Sequence, residues 1–459
     1  MAIDTAFIRD VVVVIPGIMG SELRDREGNP LWAVSPGALV RAIRTFGRSV
    51  LRLQLPQGIG DEASNDGVQA TALINSLHVI PGIWSPITGY DGLWAFLRSW
   101  RFHLVEEVPR NPEVIPNLIP FPYDWRLSNR YNGKRLAQVA TDALERWRAQ
   151  PGMADAKLVL ICHSMGGLVA RWFSEHEQGA DLIRAIITIG TPHRGSLKAL
   201  ATLANGLEPG IGPLRLDLTS FARSLPSLYQ LLPTYDCVVT ADGRTSLAKV
   251  QPSTLDASML ADAAAFHAAL DDAPSYKLHK VVGIRQPTAT TASLLVDGTV
   301  EVHEDIDGQN NGGDGTVPRL AGVPFGARTT DVVEVAAQHG ELQSIRSLLD
   351  LVDGILTREE IIWQGAPADA FGVRMAETWS AGVELYLEVT ELNDRRLWVK
   401  VQSETGTVVQ DRIRVMPDGT ARLGPLAEGG YRATVYSEQP GGPAPISKPF
   451  LVLDPKSES

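Results

Sequence analysis

Ser164 lies in the run Cys162-His163-Ser164-Met165-Gly166-Gly167, between the apolar segment 157–162 and a helical pattern beginning at Gly166. A serine at a sharp strand-to-helix turn holds strained backbone angles, so the residues two before and two after it must be small. Here they are Cys162 and Gly166, the cysteine standing where such an elbow usually has its first glycine. The turn lifts the hydroxyl above a sheet, and free N–H groups at the start of the next helix face any negative charge that develops nearby. The chemistry this favours is nucleophilic attack by Ser164 on an acyl carbon, which needs a base and an orienting acid.

In this arrangement acid and histidine follow the serine in that order, each in a loop after a late strand. Asp314, in Gly312-Gly313-Asp314-Gly315-Thr316-Val317-Pro318, and His339, just after the apolar stretch 332–336 and before Gly340, meet that requirement. Asp314 would hold the tautomer of His339, which would take the Ser164 proton and return it to the leaving group. Asp305 and Asp307 compete for the acid's role. His163 adjoins the nucleophile and should face away from it, as packing support. His193, in Thr191-Pro192-His193-Arg194-Gly195-Ser196, precedes Asp314 and so suits a substrate wall better than the base. The backbone N–H groups of Ile18, in Pro16-Gly17-Ile18-Met19-Gly20-Ser21, and of Met165 are the candidate oxyanion donors. The segment 307–318 begins like a calcium loop, but Gln309 holds its third position and Pro318 its twelfth, where a bidentate glutamate is needed. No metal and no cofactor is expected.

The elements that must carry these residues can be read from periodicity. Val11 to Ile15 is a short continuous apolar run, as expected of a strand buried on both faces of a parallel sheet. Leu136, Val139, Ala140, Ala143, Leu144 and Trp147 repeat at helical spacing within 134–150. Strands are expected at 157–162, 183–189, 277–284 and 332–336, with a helix over 166–175. This alternation implies a doubly wound α/β sheet. Near Gly365 the pattern changes to period two: Leu385, Leu387 and Val389, then Leu397, Val399 and Val401, are punctuated by Pro417-Asp418-Gly419 and Glu428-Gly429-Gly430. A small immunoglobulin-like β-sandwich is expected over 366–459, after a catalytic domain at 1–365.

The 459 residues, 44% of them hydrophobic, are ample for a large core. With 42 Lys and Arg against 53 Asp and Glu, the net charge of -11 argues against a nucleic-acid binder. Two cysteines, Cys162 and Cys237, make no disulfide framework and favour a reducing, cytoplasmic setting. No secretory signal and no uninterrupted apolar stretch of about 18 residues is visible, so a lipid would be reached from the water side.

Between Leu31 and Trp100 the chain leaves the sheet pattern and carries Trp32, Trp84, Trp94 and Trp100, the composition of a cap over an apolar pocket. After Ser35-Pro36, Arg41, Arg44, Arg48 and Arg52 share one helical face, and Leu39, Ile43, Phe46 and Val50 the other. Such a helix can lie peripherally on an anionic membrane; the plainer alternative is a cap helix showing its arginines to water. A second lid candidate runs over about 195–235.

Taken together, Pro16-Gly17-Ile18-Met19-Gly20-Ser21, Phe121-Pro122-Tyr123-Asp124-Trp125-Arg126, the His-Ser-Met-Gly elbow, Gly313-Asp314-Gly315-Thr316-Val317-Pro318 and the His339-Gly340 pair resemble the lecithin:cholesterol acyltransferase and lysosomal phospholipase A2 family of α/β-hydrolases. The resemblance implies an α/β-hydrolase sheet with cap and lid insertions, an acyl ester substrate, an acyl-Ser164 intermediate, and transfer to water or a lipid alcohol. It leaves His193, Trp32, Trp84 and Tyr123 as substrate or lid candidates and does not reach the β-rich tail. Other readings are a soluble carboxylesterase, and a partner-gated membrane-lipid-degrading effector or inactive interaction protein whose β-sandwich contacts another protein.

Overall fold

The computed structural model describes residues 5–32, 50–56, 59–74, 89–107, 111, 113–208, 215, 217–270, 274, 276–326, 332–359, 370–392, 396–440 and 442–454. At its centre lies a sheet of six parallel strands, β1 (Val11–Ile15), β2 (Leu118–Pro120), β3 (Leu158–His163), β4 (Ile183–Ile189), β5 (Leu278–Gly283) and β6 (Val332–Val335). They are ordered β6-β5-β4-β3-β1-β2. The helices that position the site are α1 (Asp91–Leu97), α2 (Asn129–Arg148), α3 (Gly166–His176), α4 (Leu197–Asn205), α5 (Ala257–Ala269) and α6 (Arg346–Thr357).

Successive side chains of a strand point to opposite faces, so a strand that is apolar at every position must be covered twice. Val11, Val13 and Ile15 of β1 pack with Leu136 and Leu144 of α2 and Leu168 of α3. Val12 and Val14 pack on the other face with Leu93 and Leu97 of α1 and Leu351 and Ile355 of α6. The fold is that of an α/β-hydrolase, with additional sheets outside the central one.

Helix α2 begins earlier than its apolar spacing suggests, because Ser128 caps it by accepting a hydrogen bond from Tyr131 N. Several short strands carried no period-two signal long enough to read, four of which lie close to the site. These four are β2 and the antiparallel trio Ser21–Arg24, Pro30–Trp32 and Gln69–Leu73, which pairs beside the turn following β1.

The cap at about 31–100 is described only in part. Arg41, Arg44, Arg48 and Trp84 lie outside the described residues; Arg52 is exposed, with its guanidinium 3.8 Å from Asp25. In the lid candidate over about 195–235, Leu200 and Leu203 of α4, together with Phe221 and Leu228, are fully buried in the main core. No helix among the described residues is long and apolar enough to cross a membrane.

The boundary expected near 365 also falls outside the described residues, and β structure resumes at Gly372–Arg374. One sheet joins that strand to Leu385–Thr390 and Thr420–Leu423; a second joins Thr378–Ser380, Ile446–Leu453, Gly429–Tyr436, Trp398–Ser403 and Val408–Arg414. Between them lies a separate apolar core containing Phe371, Leu387, Val399, Val435 and Phe450. This β unit is hydrogen-bonded to the sheet domain. The amide of Gln286 donates to Phe371 O at 3.1 Å and accepts from Val373 N at 3.1 Å, while Lys198 pairs with Glu377 at 2.9 Å.

Candidate active site

Strand β3 runs straight into α3, and Ser164 stands at the junction with φ 51°, a left-handed conformation that is rare for a serine. Close packing explains the glycines after it. A Cβ on Gly166 would lie 2.5 Å from Pro16 O and 2.7 Å from Ile15 O, and one on Gly167 would lie 2.2 Å from Thr191 Oγ1. Thr191 in turn donates its hydroxyl to Ser164 O at 2.8 Å, tying the elbow to the turn after β4.

Ser164 Oγ lies 2.9 Å from His339 Nε2, and His339 Nδ1 lies 2.7 Å from Asp314 Oδ2. The other carboxylate oxygen of Asp314 accepts from Thr316 N at 2.9 Å and Val317 N at 2.7 Å, while His339 N donates to Asp314 O at 2.7 Å. The acid is thereby fixed in orientation, so Nδ1 of His339 carries the proton and Nε2 offers its lone pair to the serine. All three side chains are buried. Asp305 and Asp307 are engaged elsewhere: Asp305 accepts from Gly308 N, and Asp307 forms a two-bond pair with Arg244.

The N–H groups of Ile18 and Met165 have no protein acceptor among the described residues, although both residues are fully buried. Buried donors without a partner are unusual and mark a place for an incoming acceptor. The Pro16 to Ser21 turn that carries Ile18 is held from beneath by the Phe121-Pro122-Tyr123-Asp124-Trp125-Arg126 segment. Tyr123 donates its hydroxyl to Pro16 O at 2.9 Å, Tyr123 N donates to Ser21 Oγ at 3.0 Å and Trp125 Nε1 donates to Ser21 O at 3.2 Å. Arg126, wholly buried, is paired with Asp124 at 2.6 Å and Asp66 at 2.7 Å. Trp32 donates to Met19 O at 3.0 Å and packs edge-on against Trp125. Tyr123 and Trp32, read from sequence as substrate or lid residues, are therefore struts of this turn.

Sequence reasoning missed Tyr90. Its oxygen accepts from Gly17 N at 2.9 Å and its O–H donates to His163 Nδ1 at 3.0 Å; His163 Nε2 donates to His339 O at 3.1 Å. One chain of hydrogen bonds thus links the Gly17-Ile18 turn to the backbone of His339 through the residue preceding Ser164. Burial, reinforced by the neighbouring His339, pushes the His163 pKa down to about 3, so its ring stays neutral and keeps one donor and one acceptor. A tyrosine preceding a seven-residue helix carries no sequence signal of such a contact.

His193 is buried after β4, and its Nε2 bonds to Thr188 Oγ1 at 3.2 Å rather than to any member of the triad. Among the described residues no group of three or more His, Cys, Asp or Glu gathers as a metal-binding set.

Fold and elbow make the chain an α/β-hydrolase. Within that class, residues 113–283 are similar to the family model described as Lecithin:cholesterol acyltransferase. The lysosomal phospholipase A and acyltransferase of Homo sapiens is 33% identical over 118 residues, which is 24% of this chain and 27% of that relative. The phosphatidylcholine-sterol acyltransferase of Oryctolagus cuniculus is 25% identical over 213 residues, covering 44% of this chain and 47% of the relative. The chain thus spans between about a quarter and a half of the length of these curated relatives. Among solved structures, one titled as the Tle4-Tli4 complex aligns with TM-score 0.47 and 16% identity over 75% of this chain and 97% of that one. The mature Bacillus licheniformis lipase BlEst2 aligns with TM-score 0.33 and 13% identity over 77% and 94%.

Proposed function

We propose that the protein is a serine acyl-hydrolase or acyltransferase acting on lipid esters, with Ser164 as nucleophile, His339 as base and Asp314 as the acid that orients it. The observation that carries this reading is the unbroken contact from Ser164 Oγ through His339 to Asp314, at 2.9 and 2.7 Å, together with the N–H groups of the buried Ile18 and Met165, which have no protein acceptor among the described residues. In the acylation step Ser164 Oγ bonds to the ester carbonyl carbon while its proton passes to His339 Nε2. The carbonyl oxygen, now negative, takes hydrogen bonds from Ile18 N and Met165 N. The intermediate collapses as the carbon–oxygen bond to the leaving alcohol breaks and His339 returns the proton to that alcohol. Water or a second alcohol then repeats the sequence on the acyl-serine. Asp314 stays ionised and stabilises the imidazolium.

A lipid rather than a small soluble ester is supported by the relationship to the acyltransferase family. Free thiols at Cys162 and Cys237 are in keeping with a reducing, cytoplasmic setting. A fluorophosphonate probe should label the wild-type chain and leave Ser164→Ala unlabelled. Hydrolysis of a long-chain phospholipid should rise when the substrate passes from monomers to vesicles. A chain with equal rates on a short soluble ester above and below its aggregation threshold, and no turnover of phospholipid, would be the soluble carboxylesterase instead.

A further inference from the structure

On the face of the sheet covered by α3 and α5 lies a half-enclosed cavity of about 370 Å³, separate from the triad, none of whose three members lines it. Leu232, Leu247, Leu260 and Phe325 form apolar walls, and the exposed Ala264 and Ala268 of α5 stand at its edge. Its volume falls within the range of pockets that hold small organic ligands.

The polar groups on its walls select the occupant. Thr188 donates its hydroxyl to His279 O at 3.3 Å, so its oxygen accepts from His193 Nε2–H at 3.2 Å. That assignment leaves Nδ1 of His193 as a lone pair, and this atom is buried without any hydrogen-bond partner, in a side chain only 4% exposed. His267 likewise donates through Nε2 to Gln230 O at 2.8 Å, which places its lone pair on Nδ1 as well. Arg171, also on the wall, is paired with buried Glu175 at 3.0 Å, and Tyr276 donates to the same carboxylate at 2.6 Å. The charge of Arg171 is thereby met inside the protein. Burial and the charges of Arg171 and Lys280 hold His193 well below its ordinary pKa, and burial brings His267 to about 4. Beside these acceptors the wall carries the hydroxyls of Thr234 and Ser246, and Arg171, the one Lys or Arg among the lining residues, is already paired, so a neutral hydroxyl finds partners there while a carboxylate or phosphate would be buried without a counter-charge of its own.

We propose that this cavity is a second ligand site for a neutral amphiphile, an alkyl chain ending in a hydroxyl that donates to His193 Nδ1. It goes beyond the acyl chemistry of Ser164 and does not depend on it.

The test is calorimetric titration of the Ser164→Ala chain, which cannot turn substrate over, with 1-decanol and with decanoate at neutral pH. One decanol should bind per chain, with decanoate weaker by about tenfold or more, the order of a lost buried hydrogen bond. His193→Phe should weaken decanol by a similar factor. Because a buried substitution can unfold the chain, Ala264→Trp and Ala268→Trp, at exposed helical positions on the edge, provide a second measurement and should each weaken binding while thermal unfolding stays unchanged. Equal affinity for decanol and decanoate, decanol binding that survives both tryptophan variants, or no decanol binding at all would overturn the proposal. The last two results leave the Ser164 chemistry untouched, since fluorophosphonate labelling of the wild type reports on that separately.

Discussion

At the scale of single residues, what matters is which hydrogen each heteroatom holds. Asp314 has one oxygen committed to two backbone N–H groups and the other to His339 Nδ1. Asp314→Asn keeps the shape but offers an amide where a carboxylate oriented the ring, and kcat should fall on the order of 10⁴ with little change in fold. Circular dichroism and steady-state kinetics on a chromogenic ester check both halves of that expectation. Tyr90→Phe removes one hydroxyl and with it both the acceptor for Gly17 N–H and the donor to His163. Its kcat should drop by about tenfold or more, as expected when two buried hydrogen bonds are lost, with KM within about twofold. A change in KM alone would place Tyr90 in substrate binding instead. Ser164, Asp314 and His339 stand out in the sequence because short motifs with glycine neighbours surround them. Tyr90 does not, because its partner lies 73 residues away and nothing local demands a tyrosine there.

At the scale of elements, the position of Ser164 is set by how closely α3 approaches the end of β1. The atoms that a Cβ on Gly166 would strike, Pro16 O and Ile15 O, are backbone and cannot rotate away. Gly166→Ala should thus push α3 off the sheet, destabilise the fold by about 2 kcal/mol or more, and abolish fluorophosphonate labelling. Gly152→Ala is the comparison: that glycine has nothing within 4 Å, and although its φ of 79° makes an alanine there strained, labelling should persist. Denaturant melts of the two variants measure the difference. The doubly covered strands are legible in the sequence because every residue of β1 and β3 is apolar enough to be buried, apart from His163 at the elbow. The strand β2 is not, since it is three residues long and ends on Pro120. Nor did the segment 195–235, read from sequence only as a lid candidate, reveal that its helices carry side chains buried in the core.

At the scale of the whole molecule, two neighbours of His339 reach into the carboxyl-terminal β unit. Gln338 Nε2 donates to Gln286 Oε1 at 2.7 Å, and that oxygen also accepts from Val373 N; Glu341 accepts from Ser447 N at 3.3 Å. Burial raises the Glu341 carboxyl to about 7 against the pull of Arg432, so the folded state prefers it protonated. The sign follows from linkage: the folded chain binds more protons than the unfolded one between the ordinary value of 4.5 and about 7, and stability falls as pH rises through that window. Glu341→Gln keeps an acceptor and cannot ionise. Its melting temperature should exceed that of the wild type at about pH 8 and match it near pH 4, where both side chains are neutral. Period-two spacing makes β structure after residue 370 readable, but its grip on the triad loop was not, because glutamines at 286 and 338 look like ordinary surface residues until the two units are brought together.

The Gln286–Gln338 clasp also sets where this chain can be cut. A chain ending before Phe371 would keep Ser164, Asp314 and His339 yet lose the Phe371 carbonyl and the Val373 amide that hold Gln286. The residue beside His339 would then face water, and on the proposed reading the trimmed protein would turn substrate over more slowly with Ser164, Asp314 and His339 all still present.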